Sequence, residues 1–455
     1  MAVEIYAPAR ELESGVIVPT HAGRAKDDLN RLFRREALPP EVLARFREFG
    51  RITWQSIDKM TYPETGLPAD HLHFDHPNGN RAESLQRIDK TSMTNIGFML
   101  ATIGAAADLG FISQNNATSR LDQLISTIER FLQDPEIAIH TRNGKVLPVN
   151  WIQPSSGKVL RRWPGTENPV KQHVSSVDVA WLMAFSKLIA AQFPEFSIRI
   201  QEYLSKIDLE FMFDEWSGFF HGSYLPEKGC FETWQYNVLS EARIAYAVCG
   251  EEIAGHMVKL FNRRSEASYF YDQEGNLGRK TWNGELFALF WPLLLIAEDE
   301  YPHWLSTFHA TINAQKEYGW RNNNGYYGYS AGLGPDNRYF EFRVPETGEN
   351  PSYYENQTVI TPAALISTGI VQPRQALQEL SRLCRDFPDI LHPGLGLGDT
   401  LDTKSGAIQK DQLLPNQASI LLACWNIVND RQPQKLFEQQ LPISLLRAYE
   451  DTPLW

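Results

Sequence analysis

Six stretches rich in small and apolar residues run through this chain, each followed by a more polar one. The first members span about 92–109, 175–192, 237–249, 284–297, 358–371 and 414–427. Their followers span about 117–133, 196–207, 251–262, 301–315, 373–387 and 434–448. Apolar residues recur at helical spacing in both sets, and strand-like alternation is scarce. A helix apolar on nearly every side must be buried, whereas one with a single apolar stripe covers a core. Six apolar helices inside six amphipathic ones is what a closed double-helical toroid, the (α/α)6 barrel, needs. The pattern therefore predicts an all-α fold, with Ser175 as an N-cap before the 177–192 run.

The links leaving the amphipathic helices are long, aromatic and rich in Gly, Pro and Asn: about 140–173, 208–236, 263–283, 316–357 and 388–412. Ordered loops of that length usually carry function. Residues 1–90 hold two further helical stretches, near 26–36 and 40–60, which predicts an N-terminal arm over 1–85 packed on a barrel domain over 86–455.

Composition removes several function classes. A formal charge of −12 argues against nucleic acid or an anionic membrane as partner. No apolar run approaches the ~20 residues of a membrane span. The start, MAVEIYAPARELESG, shows neither a basic nor an apolar leader region, and the four cysteines have no CxxC spacing. A cytoplasmic protein with reduced, packed cysteines is the expectation. No phosphate loop is present, and GLGLGD at 394–399 follows Pro393 and leads into polar text, so no cofactor is expected. His71, His73 and His76 lie in a Pro/Asn/Gly-rich loop without helical HExxH spacing, and read as a surface or packing cluster rather than a metal site.

Chemistry points to VLSEARIAY, Val238 to Tyr246. On a helix, Val238, Leu239, Ala242, Ile244 and Ala245 leave almost no polar face, yet Glu241 stands among them. Arg243 is two positions away, and i,i+2 residues do not face each other on a helix. An unpaired buried carboxylate tends to take up a proton, the state a general acid needs. The alternative is a structural glutamate held by a distant Arg or Lys.

Several stretches, in order, resemble a known family. TSMTNIGFMLATIGAAADLGFIS (91–113) resembles the TSPTNIGL opening of the glucoamylase-like domain in cyclic β-1,2-glucan synthases. VNWIQ (149–153), HVSSVDVAWL (173–182), FMFDEWSGFFHGSY (211–224), VLSEARIAY, TWNGELFALFWPLL (281–294) and VITPAALIS (359–367) are similar to its later motifs. LGDTLD (397–402) and LLPNQASILL (413–422) resemble segments of endo-β-1,2-glucanases. The resemblance, over about 85–445, implies an (α/α)6 barrel acting on β-glucosidic linkages, chiefly β-1,2-glucan, without a metal. It makes Glu241, the glutamate of the SEARL-like motif, the proton donor to the glycosidic oxygen.

The chain also departs from that family. Transglycosylase members carry a nucleophilic glutamate in a GISES motif; GYSAGLG (328–334) here has Ala331 in its place. Leu333, Ala288 and Asn416 likewise replace acidic residues. Retention through the GISES glutamate is excluded, because alanine has no nucleophile. An inverting enzyme needs a second carboxylate about 6.5–9.5 Å from the acid. Asp178, heading an apolar helix, and Asp399, in a Gly-rich loop, rank first for it, ahead of Asp402, Glu355, Asp336 and Glu285, which sits three positions before Ala288. Trp151, Trp216, Trp282 and Tyr329 are candidate sugar platforms, with Glu355, Asp336 and Asn416 as polar substrate contacts. The expectation is an inverting β-glucan hydrolase. Another β-glycoside as substrate, and a glycan-binding protein without catalysis, remain alternatives.

Overall fold

The computed structural model describes residues 10–11, 17–18, 38–74, 85–261, 268–334, 338–350, 357–392 and 394–451. It divides into two compact units, 1–40 and 41–455. In the first, Arg10–Glu11 pairs antiparallel with Ile17–Val18. The helical stretch expected near 26–36 lies outside the described residues. The second unit takes in nearly all of helix α1 (Pro40–Met60), so this part of the expected arm shares one compact unit with the helices that follow.

Each apolar stretch of the sequence yields a buried helix. These are α2 (Met93–Asp108), α4 (Ser176–Gln192), α6 (Arg243–Val248), α9 (Leu286–Phe290), α11 (Pro362–Ser367) and α13 (Leu414–Val428). Neighbours in the chain are neighbours in space: α2 packs on α4, α4 on α6, α9 on α11, α11 on α13, and α13 returns to α2. The remaining junction, α6 with α9, is made by Arg243, whose guanidinium donates to the carbonyls of Ala288 and Leu289. Close approach requires small residues. A Cβ on Gly97 of α2 would stand 2.9 Å from the Leu182 Cα of α4, nearer than backbone permits. Phe98, Trp181, Phe185 and Trp291 fill the space between these helices with stacked and edge-on rings.

The amphipathic followers lie outside them. Helix α3 (Gln114–Phe131) covers α2, α5 (Ser197–Lys206) covers α4, and α7 (Glu251–Gly255), continued by α8 (Val258–Phe261), follows α6. Phe308 of α10 (Pro302–Asn322) meets Phe290 of α9 edge-on; α12 (Pro373–Asp386) covers α11; α14 (Gln432–Glu438) covers α13. Helix α15 (Ile443–Glu450) packs on α7. Among the described residues no helix is long and apolar enough to cross a membrane.

Three of the inner helices are much shorter than their apolar runs. The run at 237–249 becomes helical only at Arg243, because Leu239 joins Thr281 in a parallel bridge and Ser240 turns the chain, its hydroxyl accepting from Ala242 N. Glu241 is therefore in the turn entering α6, not within a helix. Pro292 and Pro362 bound the other two. Ser175 caps α4 as expected, its Oγ accepting from Asp178 N at 3.3 Å.

The scarce strand signal conceals many ladders of two to four residues, which satisfy the backbone of the long loops. Several stand directly before inner helices: Val174–Ser175 before α4, Val359–Ile360 before α11, and Gln412–Leu413 before α13.

Candidate active site

The entries to the inner helices are knitted together at one end of the bundle. Thr94 at the start of α2 donates to Asp178 in the first turn of α4, 2.7 Å away. The Leu239–Thr281 bridge joins the entries of α6 and α9, and Leu286 N and Thr361 N donate to Tyr329 O and Gly328 O. Leu413 pairs with His71, and Asp70 beside it accepts from Asn95 of α2.

Acidic residues converge here. Glu241 is half-buried, and burial pushes its carboxyl up to about 7, with Glu341 and Asp178 adding repulsion against the opposing pull of Arg243. Glu285, at the N-cap of α9, is only 4% exposed. Burial, then Glu341 and Glu241, push it up to about 8, and its Oε2 is buried with no hydrogen-bond partner among the described residues. Burial also raises Glu341, opposed by Arg343 and by the hydrogen bond from Asn283. Tyr236 lies within electrostatic reach of Glu241, Asp178 and Glu341; Tyr339 lies within reach of Glu341, Glu285, Glu241 and Asp399. Burial first, and repulsion between neighbouring carboxyls second, favours the protonated forms of Glu241 and Glu285.

Arg243 does not neutralise Glu241. All of its guanidinium nitrogens bond elsewhere: to both oxygens of Glu298, and to the carbonyls of Ser240, Ala288 and Leu289.

Asp178 is half-buried beside Glu241, with Oδ1 held by Thr94. Asp399 is buried and accepts on both oxygens, from Leu333 N at 2.6 Å, Leu413 N at 3.3 Å and Asn416 Nδ2 at 2.9 Å. Burial still pushes it up to about 6. Asn416, expected to touch substrate, instead turns its amide to Asp399 and to Ala331 O. Tyr329, expected as a platform, is buried, with its hydroxyl donating to Gln357 O and its ring edge-on to Tyr318. It packs and offers no face to solvent.

Trp282 is 49% exposed, next to Asn283. Trp151 is half-buried and edge-on to Trp163, with the Lys90 ammonium over both rings. Trp216 is almost fully exposed in the turn between Phe213–Asp214 and Phe219–Phe220. Glu355 and Asp336 lie outside the described residues. His71 pairs with Asp70 and His73 with Asp411, while His76 lies outside the described residues. A separate hollow of about 280 Å³, lined by Asp58, Arg87, Arg120 and Gln123 among others, shares no residue with the carboxylate cluster.

Sequence reasoning missed Glu341 and Asn283. Glu341 ends the strand Tyr339–Glu341, paired antiparallel with Ala331–Leu333, and its direct cross-strand partner is Ala331. The signal was the alternation in YFEFRV (339–344), with Phe342 and Val344 buried on one face and Tyr339, Glu341 and Arg343 on the other.

The same architecture occurs in solved structures. An endo-β-1,2-glucanase from Chitinophaga pinensis, in complex with sophorotriose and glucose, matches with TM-score 0.66 and 15% identity over 91% of this chain and 98% of that one. A provisionally assigned glucoamylase from Bacteroides caccae ATCC 43185 matches with TM-score 0.66 and 18% identity, over 90% and 98% of the two chains. A variant endo-β-1,2-glucanase from Talaromyces funiculosus, in complex with β-1,2-glucan, matches with TM-score 0.63 and 11% identity, over 90% of each. The fold is that of the glucoamylase-like glycoside hydrolases. Residues 48–277 match the family described as "Protein of unknown function (DUF3131)", and the chain belongs to that family. No curated protein matches it.

Proposed function

We propose that this protein is a glycoside hydrolase built on an (α/α)6 barrel, with Glu241 as the general acid. One observation carries the reading: Glu241 is half-buried, has no ion-pair partner among the described residues, and stands within electrostatic reach of Asp178, Glu285 and Glu341 where the inner helices begin. A carboxyl raised to about 7 keeps its proton in a large share of molecules at neutral pH and can release it to a departing oxygen. Two partly exposed rings, Trp282 and Tyr339, belong to segments that carry this cluster and offer apolar faces to a sugar. The ring order of the six inner helices supports the barrel.

The Chitinophaga and Talaromyces enzymes point to β-1,2-linked glucan as the substrate. Loss of the GISES glutamate at Ala331 supports inversion. Asp178 then lies beside the acid, whereas Asp399 has donors on both oxygens and ties the loop before α13 to Leu333.

The test is a panel of linkage-defined β-glucans with reducing-end detection, run on wild type and Glu241→Gln. Cleavage of β-1,2-glucan by wild type, a loss of about 10²–10⁴-fold in the variant, and release of the α-anomer first by NMR are expected. A wild type inert on every member of the panel would refute the hydrolase assignment.

A further inference from the structure

We propose that Glu341 is the second catalytic carboxylate, the base that draws a proton from the attacking water while Glu241 protonates the leaving oxygen. This rests on the hydrolase reading and names the partner that reading lacks.

The placement comes from strand geometry. In an antiparallel ladder, directly opposed residues project from the same face with Cβ atoms about 4.5–5.5 Å apart. Ala331 opposes Glu341, and Leu333 opposes Tyr339, so these four share one face. Ala331 contributes only a methyl group there, which leaves room for the longer Glu341 side chain. Tyr339, on the same face, lies within electrostatic reach of Glu341, Glu285 and Glu241.

A base must be ionised and held in position, and two residues do this. Asn283 Nδ2 donates to Glu341 Oε2, and Arg343 Nη1 donates to Asn283 Oδ1 at 3.0 Å, which fixes the direction of the amide. Asn283 follows Trp282, whose N–H donates to Leu239 O two residues before Glu241. A hydrogen-bonded path therefore links the segments carrying the acid and the base. Arg343 adds a positive charge near Glu341 that favours the ionised form. No other acid in the cluster has this combination. Glu285, which Arg343 also reaches, has a buried oxygen with no donor among the described contacts, Asp399 is buried with a donor on each oxygen, and Asp178 has a hydroxyl contact but no cation beside it among the described contacts.

The step balances. A water proton passes to the free Glu341 oxygen as the water oxygen bonds to the anomeric carbon. The carbon–oxygen bond to the leaving sugar breaks, and the Glu241 proton passes to that oxygen. A β-linkage yields an α-hemiacetal and an alcohol. Proton exchange with solvent then restores Glu341 to carboxylate and Glu241 to acid.

The experiment uses the full chain as wild type, Glu241→Gln, Glu341→Gln and Glu341→Ala, with β-1,2-gluco-oligosaccharides and β-sophorosyl fluoride. Fluoride leaves without a proton, so Glu241→Gln should retain turnover of the fluoride while losing the oligosaccharide. Both Glu341 variants should lose both substrates by about 10²–10⁴-fold. Azide should restore Glu341→Ala at least tenfold, with α-sophorosyl azide as product. Should Glu341→Ala fail to fold, Glu341→Gln, which keeps the size and shape of the side chain, decides alone. If the Glu341 variants stay within tenfold of wild type while Glu241→Gln loses the oligosaccharide, the base assignment falls and the hydrolase reading stands. First release of the β-anomer by wild type also overturns it. A wild type inert on both substrates removes the reading and this proposal together.

Discussion

Arg243 grips both oxygens of Glu298, at 2.6 and 2.7 Å, with neither side chain exposed to solvent. Tyr449 donates to the same carboxylate, and the Trp304 ring lies 5.1 Å from the guanidinium. The arrangement explains how Glu241 keeps its proton. The nearest cation in sequence turns to the segment following α9, so among the described contacts the carboxyl two residues earlier has no ion-pair partner.

Breaking this pair by removing one partner strands a buried charge, at a cost of about 3–5 kcal/mol. Arg243→Met should therefore lower the urea unfolding midpoint sharply, and Glu298→Gln should do so as well. The double variant should lose less than the sum of the two, because no unpaired charge remains. Additive losses in a double-mutant cycle would show that the pair is not coupled as its geometry indicates.

Much of the fold was legible because apolar helical runs have few alternatives. Gly97, Phe98 and the alanines of α2 could only be buried, and Ser175 could only serve as a cap. The length of α6 was not legible: Val238 and Leu239 are apolar and suit an extended bridge as well as a helix. Long-range backbone pairing with Thr281 decided the matter, and no local pattern reports it. Glu241 stood out because its neighbours were greasy. Glu341 did not, because it lies a hundred positions away in text read as loop, on a strand of only three residues. The setting of Tyr329 in GYSAGLG suits a platform, yet Gln315 and Gln357 bind its backbone and hydroxyl and draw it into the core.

The raised carboxyls make stability depend on pH in a definite direction. Glu241 at about 7, Glu285 at about 8 and Asp399 at about 6 all lie above the values of 4.5, 4.5 and 3.8 for free groups. The folded state then binds protons more tightly than the unfolded chain. Their contribution is complete below about pH 4 and is lost as pH rises toward 8. Asp70 acts the other way: Lys90, His71 and Asn95 outweigh the effect of burial and hold it below the usual carboxylate range, so its contribution disappears only in stronger acid. Urea midpoints measured from pH 4.5 to 8.5 should fall steadily, and Glu285→Gln, which cannot ionise, should flatten the slope and exceed wild type at pH 8. A midpoint that rises across this range would contradict the assignment of these shifts.

Asp399 and Asn416 supply the last prediction, since they separate a tie between loops from a catalytic group. Both Asp399 oxygens accept hydrogen bonds, and the three donors come from two segments: Leu333, and the entry to α13 with Leu413 N and the Asn416 side chain. Asp399→Asn places an NH2 group where one of those donors points, so a buried N–H loses its acceptor at a cost of about 1–3 kcal/mol. The melting temperature should fall, and hydrogen exchange should quicken at Leu333 and Leu413. Asp399 is buried, with a donor on each oxygen, so azide should not restore any activity the variant loses, in contrast to Glu341→Ala. Azide rescue of Asp399→Ala with an α-configured azide product would instead make Asp399 the base, and would reduce Glu341 to a neighbour that raises the affinity of Glu241 for its proton.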